Sequence, residues 1–129
     1  MNLSIDTRAD KAIYVQIMDE VRRLIVVGDL RPHDPLPSVR ALAADLRLNH
    51  NTIVQAYREL EREQIVYARR GHGTFIAEQA APGAQRDRVL AEVVDRALTD
   101  AHRHGIAPDA LIEALGEAAA RQNKGVGNE

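Results

Sequence analysis

Cysteine and tryptophan are both absent from the 129 residues, and aromatic residues make up only 3% of the chain. Without cysteine the chain can form no disulfide, and it offers no thiolate to a metal ion or to nucleophilic catalysis. Hydrophobic residues still account for 45% of the sequence. A core must therefore be built from leucine, isoleucine, valine and alanine, a composition that favours helices.

Long apolar runs are also missing. No run approaches the roughly 18 residues that a membrane span requires. The first ten residues mix charged and apolar side chains and lack the continuous apolar core of a signal peptide. We expect a soluble, cytoplasmic protein without membrane contact, with one ordinary domain or a small domain and an appendage.

The net charge is small, because 17 lysines and arginines face 19 acidic residues, giving −2. The distribution is uneven. Residues 36–75 contain six arginines and four acids, whereas the chain from residue 81 onward contains six basic and eight acidic residues. Positive charge is concentrated in the middle of the chain, and such local clustering matters more for nucleic-acid binding than the sum.

The first forty residues show one helical repeat followed by a proline-rich stretch. Apolar residues recur at helical spacing over residues 12–27, with Arg22 largely outside the apolar face, and this predicts a helix. Gly28 is a plausible stop. Three prolines within residues 30–37 predict an extended, stiff connector.

Two shorter helical repeats follow. Residues 38–46 are predicted to form a short helix that Ser38 can cap. A second helix runs to about Arg62 and can be capped by Asn49 or by Asn51. The acidic residues near its end are interpreted as a solvated helix end: Glu59, Glu61 and Glu63.

Beyond these helices, residues 65–68 and 74–77 are short β-prone runs, and the five residues between them are basic and rich in glycine. This pattern predicts a β-hairpin with a flexible tip. Helix, turn, helix and basic hairpin in this order are the layout of a winged helix-turn-helix, which places one helix in the DNA major groove. Residues 1–78 are therefore expected to form a DNA-binding domain.

The side chains expected to contact DNA come from the start of the short helix, the start of the second helix and the hairpin tip. Asparagine and glutamine can pair with adenine, and a threonine methyl group can contact thymine. Arginines and a helix N-terminus suit phosphate, and glycines let the backbone approach the sugar-phosphate chain. Taken singly, these residues could also be helix caps, solvated charges or an ordinary loop. The candidates are Ser38, Arg40, Asn49, His50, Asn51, Thr52, Gln55, Arg58, Arg69, Arg70, Gly71, His72 and Gly73.

The C-terminal part is interpreted as a linker (79–85), two helices (86–122) and a polar, disordered tail (123–129). Each helix carries an apolar stripe that one helix pair has little core to cover. Two copies packed together would bury the stripes as a four-helix assembly, and packing onto the winged helix of the same chain is the alternative. The residues assigned to dimerisation are Val89, Leu90, Val93, Val94, Ala97, Leu98, Leu111, Ile112 and Leu115.

No catalytic residue, metal site or cofactor is expected. His102 and His104 are two residues apart, a spacing that points them in different directions on a helix, so a solvated or capping role is favoured. The chain has no His-Glu-x-x-His pattern and no glycine loop that would hold phosphate. An enzyme is therefore disfavoured. A winged helix used for protein–protein contact without DNA is the alternative function, supported only by the net acidity.

Residues 11–77 closely resemble the GntR family of bacterial transcription regulators. The resemblance implies a winged helix that binds operator DNA as a dimer. The short C-terminal part resembles the YtrA subfamily, whose members often repress operons that encode ABC transporters. The motifs that carry the resemblance are Ile13-Tyr-Val-Gln-Ile, Gly28-Asp-Leu, Leu36-Pro-Ser-Val-Arg, Leu42-Ala, Asn51-Thr, Ala56-Tyr-Arg-Glu-Leu-Glu and Gly71-His-Gly-Thr-Phe.

By this resemblance Arg40 stands at the DNA-contacting arginine of the family, and residues 50–52 stand at the turn that contacts bases and phosphate. Arg70 and Gly71 stand at the wing tip that enters the minor groove. The operator sequence, the regulated genes and any small-molecule effector stay open at this point.

The chain departs from the family pattern where Ala12 replaces a common Pro, His33 a common Gly, His50 a residue that is often Pro or Arg, and Gln64 a very common Gly. The glycine at position 64 normally ends the recognition helix with a positive φ. Glutamine would cost roughly 1 kcal/mol if that conformation is kept; otherwise the helix ends differently by a residue.

Overall fold

A computed structural model describes residues 1–127, which contain five helices and one two-stranded antiparallel sheet. The expected fold class, a mainly helical winged helix-turn-helix with a small β-hairpin followed by two helices, is confirmed. The chain divides into two compact units, Met1–Val89 and a second that begins at Leu90. In chain order the elements are α1 (Ile13–Val26), α2 (Val39–Leu46), α3 (His50–Arg62), β1 (Val66–Arg69), β2 (Gly73–Ile76), α4 (Pro82–Arg103) and α5 (Pro108–Gly127).

The core of the first unit forms where α1 and α3 meet beneath the hairpin. Ile17 and Val21 lie one turn apart on α1, and Ile53 and Leu60 lie two turns apart on α3; all four are fully buried. Ile76, the last residue of β2, is buried in the same cluster. Burying each such side chain stabilises the fold by about 1.5–3 kcal/mol, so this cluster fixes the orientation of α3.

The proline-rich connector is extended, as expected, and lies beside β2. The N–H of His33 donates to the Ile76 carbonyl oxygen (2.7 Å), and the N–H of Leu36 donates to the Thr74 carbonyl oxygen (2.8 Å). Pro35 forms an isolated antiparallel bridge with Phe75. The connector therefore covers one edge of the hairpin.

The hairpin itself is displaced by about one residue from the expected runs 65–68 and 74–77. The strands begin at Val66 and Gly73, and Arg69 pairs with Gly73. Ile65 is excluded from β1 because its N–H donates to the Leu60 carbonyl oxygen at the end of α3 (3.0 Å). Two residues expected in the tip thus belong to the strands.

The end of α3 keeps the left-handed conformation without a glycine. Gln64 has φ 62°. Its N–H donates to the Glu61 carbonyl oxygen (2.9 Å), and together with the bond from Ile65 this is the pattern that closes a helix on a left-handed residue. His33, the other position at which the family pattern has glycine, also has a positive φ of 69°.

The expected linker at residues 79–85 is wrong in its second half, because α4 begins at Pro82. Proline fits the first turn of a helix, where its missing N–H has no partner and its fixed φ suits the helix. Ala80 and Gln85 are buried. The first unit accordingly extends to Val89 rather than ending at residue 78.

The expected disordered tail, 123–129, is also wrong in part. Helix α5 continues to Gly127, because alanines and other helix-forming residues at positions 118–122 extend the helical repeat into this segment. Residues 128 and 129 lie outside the described part of the chain.

In the second unit, α4 ends in a turn built on Gly105, which has φ 71°. The N–H of Ile106 donates to the carbonyl oxygen of Ala101 (2.8 Å). His104 donates from Nδ1 to the carbonyl oxygen of Asp100 (2.8 Å), which is the capping role favoured for a histidine here. Among residues 1–127 no group of three or more potential ligands could hold a metal ion. No helix in that range is long and apolar enough to cross a membrane.

We expect Gln64→Gly to raise the free energy of unfolding by about 0.5–1 kcal/mol. The left-handed conformation costs a residue with a Cβ about 1–2 kcal/mol, and glycine's extra loss of backbone entropy is about 0.5–1 kcal/mol. Urea denaturation at one fixed protein concentration measures the change. The control is Glu61→Gly, in the helical last turn of α3, which should lower stability by about 1 kcal/mol. Equal destabilisation by both variants would show that position 64 is unstrained.

Candidate nucleic-acid interface

One face of α3 is polar and exposed. Asn51, Gln55 and Arg58 are spaced by four and three residues, and all three side chains are exposed. This spacing aligns them along one side of the helix. Ile53 and Leu60 occupy the opposite, buried side. The packing of α3 on the core therefore dictates which side chains face outward.

Asn49 caps α3, which decides between the two candidates for this role. Its Oδ1 accepts a hydrogen bond from the N–H of Asn51 (2.8 Å), and the helix begins at His50. The Asn49 amide nitrogen stays available as a donor. His50 is exposed and Thr52 is half-buried, so the first turn of α3 presents hydrogen-bonding groups to a ligand.

The start of α2 is built as expected. Ser38 Oγ accepts a hydrogen bond from the N–H of Ala41 (3.0 Å), and Arg40 is exposed in the first helical turn. The hydroxyl of Tyr57, on α3, donates to the carbonyl oxygen of Pro37 (2.7 Å). This bond ties the beginning of α2 to the middle of α3.

The hairpin tip comprises Arg70, Gly71 and His72, between the paired residues Arg69 and Gly73. All five residues are exposed. The two glycines have φ of 81° and 113°, which residues with a Cβ rarely adopt. A Cβ at either position would meet no neighbour, so the backbone turn, and not lack of space, requires glycine here.

Aromatic contacts support the hairpin behind its tip, and sequence reasoning missed them. Tyr67 of β1 stacks on Phe75 of β2, with ring centroids 5.6 Å apart. The ring of His33 meets Tyr67 edge-on, and its Nδ1 lies 2.8 Å from the Tyr67 hydroxyl oxygen. In the sequence His33 stands out only as a departure from glycine, because its contact with Tyr67 spans 34 positions.

Arg22 is buried, contrary to the expectation that it lies outside the apolar face of α1. Its Nη1 donates to Asp19 Oδ1 (3.0 Å) and its Nη2 donates to Glu63 Oε2 (2.7 Å). Burial of an arginine is tolerated when acidic groups accept its hydrogen bonds. The glutamates at the end of α3 are thus not all solvated, since Glu63 is half-buried and paired.

Charge is neutralised unevenly across this region. Glu59 pairs with Arg62, and Glu63 pairs with Arg22 and Arg88. The acids at the end of α3 are therefore already compensated. Within residues 1–127, the arginines near the DNA-facing segments that have no acidic partner are Arg40, Arg58, Arg69 and Arg70.

Three helices, a supported hairpin and an exposed polar face on the second helix of the helix-turn-helix define the chain as a winged helix-turn-helix DNA-binding protein. The family described as bacterial regulatory proteins, gntR family, matches residues 13–76. The HTH-type transcriptional repressor YtrA of Bacillus subtilis (strain 168) is 36% identical over 129 residues, covering 98% of this chain and 99% of that protein. The chain belongs to the GntR family, and its full-length match to this relative confirms the resemblance to the YtrA subfamily.

Solved structures agree with this assignment. A GntR family transcriptional regulator from Listeria monocytogenes has a TM-score of 0.68 and 30% identity, covering 88% of this chain and 98% of that one. YtrA from Sulfolobus acidocaldarius, a GntR-family transcription factor, has a TM-score of 0.55 and 26% identity, covering 94% and 99%. Since the family consists of regulatory proteins, the chain is a transcriptional regulator and not an enzyme.

Replacing Tyr57 by phenylalanine should flatten the loss of stability at alkaline pH. Burial raises the pKa of Tyr57 above its usual value. Below pH about 10 both states are protonated and the stabilisation is complete; above it the unfolded chain ionises first, and stability falls until the pH reaches the raised folded pKa. The decline due to this group is about 1.4 kcal/mol per pH unit.

Urea unfolding of the parent and of Tyr57→Phe at a series of pH values from neutral to alkaline isolates this effect as a difference between two slopes. At neutral pH the variant should lose about 1 kcal/mol, because the carbonyl of Pro37 loses its hydrogen bond. Identical alkaline slopes in the two proteins would contradict the buried, protonated phenol.

Proposed function

We propose that this protein is a homodimeric transcriptional repressor that binds a two-fold symmetric operator. The observation that carries the proposal is the set of arginines without acidic partners around the exposed face of α3. Arg40 lies on α2, Arg58 on α3, and Arg69 and Arg70 at the hairpin tip. Unneutralised arginines in this arrangement suit the phosphate backbone, which supplies most of the affinity for DNA.

In the proposed complex the three segments do different work. The first turn of α3, with His50, Asn51 and Thr52, and Gln55 one turn further on, reads base edges in the major groove. Asn49 supports that turn as its cap. Arg58 continues the same exposed face. This division follows the geometry in which the N-terminal residues of a recognition helix contact the bases.

The other two segments position the protein on the duplex. Ser38 and Arg40, at the start of α2, bind phosphate through the helix N-terminus and the guanidinium group. The hairpin tip enters the minor groove beside the recognition helix. Its members in this proposal are Arg69, Arg70, Gly71, His72 and Gly73.

The apolar stripes of α4 and α5 support the homodimer. Leu90, Val94 and Leu98 are exposed on α4 at spacings of four residues, and Ile112 and Leu115 are exposed on α5. Contiguous exposed apolar side chains mark interaction surfaces, and a symmetric pair of such helix hairpins buries them as a four-helix assembly. The proposed interface is completed by Val89, Val93, Ala97 and Leu111.

Repression and the target genes are inferred from relatives. The full-length relative from Bacillus subtilis is named a transcriptional repressor, and the resemblance to YtrA-type regulators extends the proposal to an ABC-transporter operon as the target. A regulator of this kind acts on chromosomal DNA in the cytoplasm. An electrophoretic shift with the promoter region of the chain's own gene, in the presence of competitor DNA, tests the proposal. A protein that never prefers this duplex over competitor would argue against it.

Arg40→Ala and Arg70→Ala should each weaken binding to that duplex about tenfold, which corresponds to about 1.4 kcal/mol. Each should also lower the steepness of the salt dependence by about one, because one counterion-releasing contact is lost. The matched control is Arg121→Ala, which removes the same charge from the exposed surface of α5. Parental affinity in both DNA-face variants would refute the assigned contacts.

Val93→Glu should convert the dimer into a monomer, because each subunit would bury a charge in the apolar interface. Light scattering measures the mass, which should fall by half at micromolar concentration. Val27→Glu is the matched control, since Val27 is 57% exposed in the first unit and Val93 is 51% exposed. If Val93→Glu keeps the mass of the parent, the stripe on α4 is not the dimer interface.

A further inference from the structure

Glu63, which directly follows α3, is bound by arginines from two other helices. Its Oε2 accepts a hydrogen bond from Arg22 Nη2 of α1 (2.7 Å), and its Oε1 accepts one from Arg88 Nη1 of α4. The Glu63 side chain is 25% exposed and that of Arg22 is 10% exposed. A single carboxylate thus joins α1, the end of the recognition helix and the beginning of α4.

The beginning of α4 is part of the winged-helix unit. Arg88 lies within Met1–Val89, the first compact unit. Gln85, one turn earlier on α4, is buried, and so is Ala80 just before the helix. From Leu90 onward the same uninterrupted helix carries the stripe assigned above to dimerisation. The Glu63–Arg88 pair is therefore an attachment of the dimerisation helix to the end of the recognition helix.

We propose that the Glu63–Arg88 ion pair restricts the half-site spacing that the dimer accepts in its operator. This inference rests on the proposed homodimer. One base pair added between two half-sites moves them apart by about 3.4 Å and rotates one against the other by about 34°. A dimer whose recognition helices are attached stiffly to its dimerisation helices accepts one spacing, whereas a loosened attachment accepts several.

The exposure of Arg88 separates this role from a role in folding. Its side chain is 55% exposed, and ion pairs of exposed arginines contribute little to stability. The other bond to Glu63, from the buried Arg22, holds α3 against α1 and is untouched when Arg88 is replaced. Removing the Arg88 guanidinium should thus leave the winged helix and the dimer intact and change only the attachment of α4.

The experiment compares the parent with Arg88→Gln. A library of random duplexes is first selected on the parent to obtain a two-fold symmetric site, and duplexes are then made with one or two base pairs added to or removed from its centre. Fluorescence anisotropy gives Kd for each duplex. We expect the parent to prefer its own spacing at least about tenfold over a change of one base pair, and Arg88→Gln to prefer it less than about threefold.

Two controls keep the readout specific. Arg88→Lys retains a positive donor and should restore most of the preference. Arg86→Gln removes the same charge from an exposed residue two positions earlier on α4 and should keep the preference of the parent. The sequence of the selected half-site and the dimer mass should be the same in all four proteins.

The possible outcomes distinguish this inference from the function on which it rests. If Arg88→Gln still binds as a dimer and keeps the parental preference for one spacing, the spacing role of the ion pair is overturned. If the parent itself selects no two-fold symmetric site, the dimeric repressor is overturned, and the spacing role falls with it. Loss of spacing preference in Arg86→Gln as well would assign the effect to charge rather than to the Glu63–Arg88 pair.

Discussion

Helix α3 has to bury one face and leave the opposite face bare, and the winged-helix unit is arranged around that constraint. Ile53 and Leu60 anchor it against Ile17 and Val21 of α1 in a fully buried cluster. The apolar contact fixes the rotation of α3 about its own axis. Because side chains on a helix rotate with it, the same contact that stabilises the fold decides which polar groups can meet a base pair.

Charge is sorted by the same arrangement. The net charge of −2 conceals a separation in which the acids at the end of α3 are paired with Arg62, Arg22 and Arg88. The arginines of α2, of the exposed α3 face and of the hairpin keep their charge available in the described structure. A polyanion meets the local potential of the surface that it contacts, so the sum over the chain says little about DNA binding.

Local patterns made most of the fold predictable, and long-range contacts account for what was missed. Helical spacing located α1 to α3 because each apolar stripe lies within a few turns of one segment. The same spacing placed Arg22 outside the core, since nothing local shows that Glu63, 41 positions away, accepts its hydrogen bond. The Pro-Gly pair at residues 82 and 83 suits a linker and a helix start equally well, and packing of the neighbouring Ala80 and Gln85 decided between them. The candidate site residues were found by residue type and order, which says where they lie but not which base each one contacts.

The two departures from glycine in the family pattern differ in energetic consequence. His33 and Gln64 both hold a left-handed backbone, which costs a residue with a Cβ about 1–2 kcal/mol. At position 33 the side chain offsets part of that cost, because its ring packs on Tyr67 and bonds to the Tyr67 hydroxyl. At position 64 the side chain is exposed and makes no polar contact within the described chain, so the strain there is uncompensated. The first departure therefore adds support to the hairpin that carries the arginine tip, while the second is a plain loss of stability at the junction between the recognition helix and that hairpin.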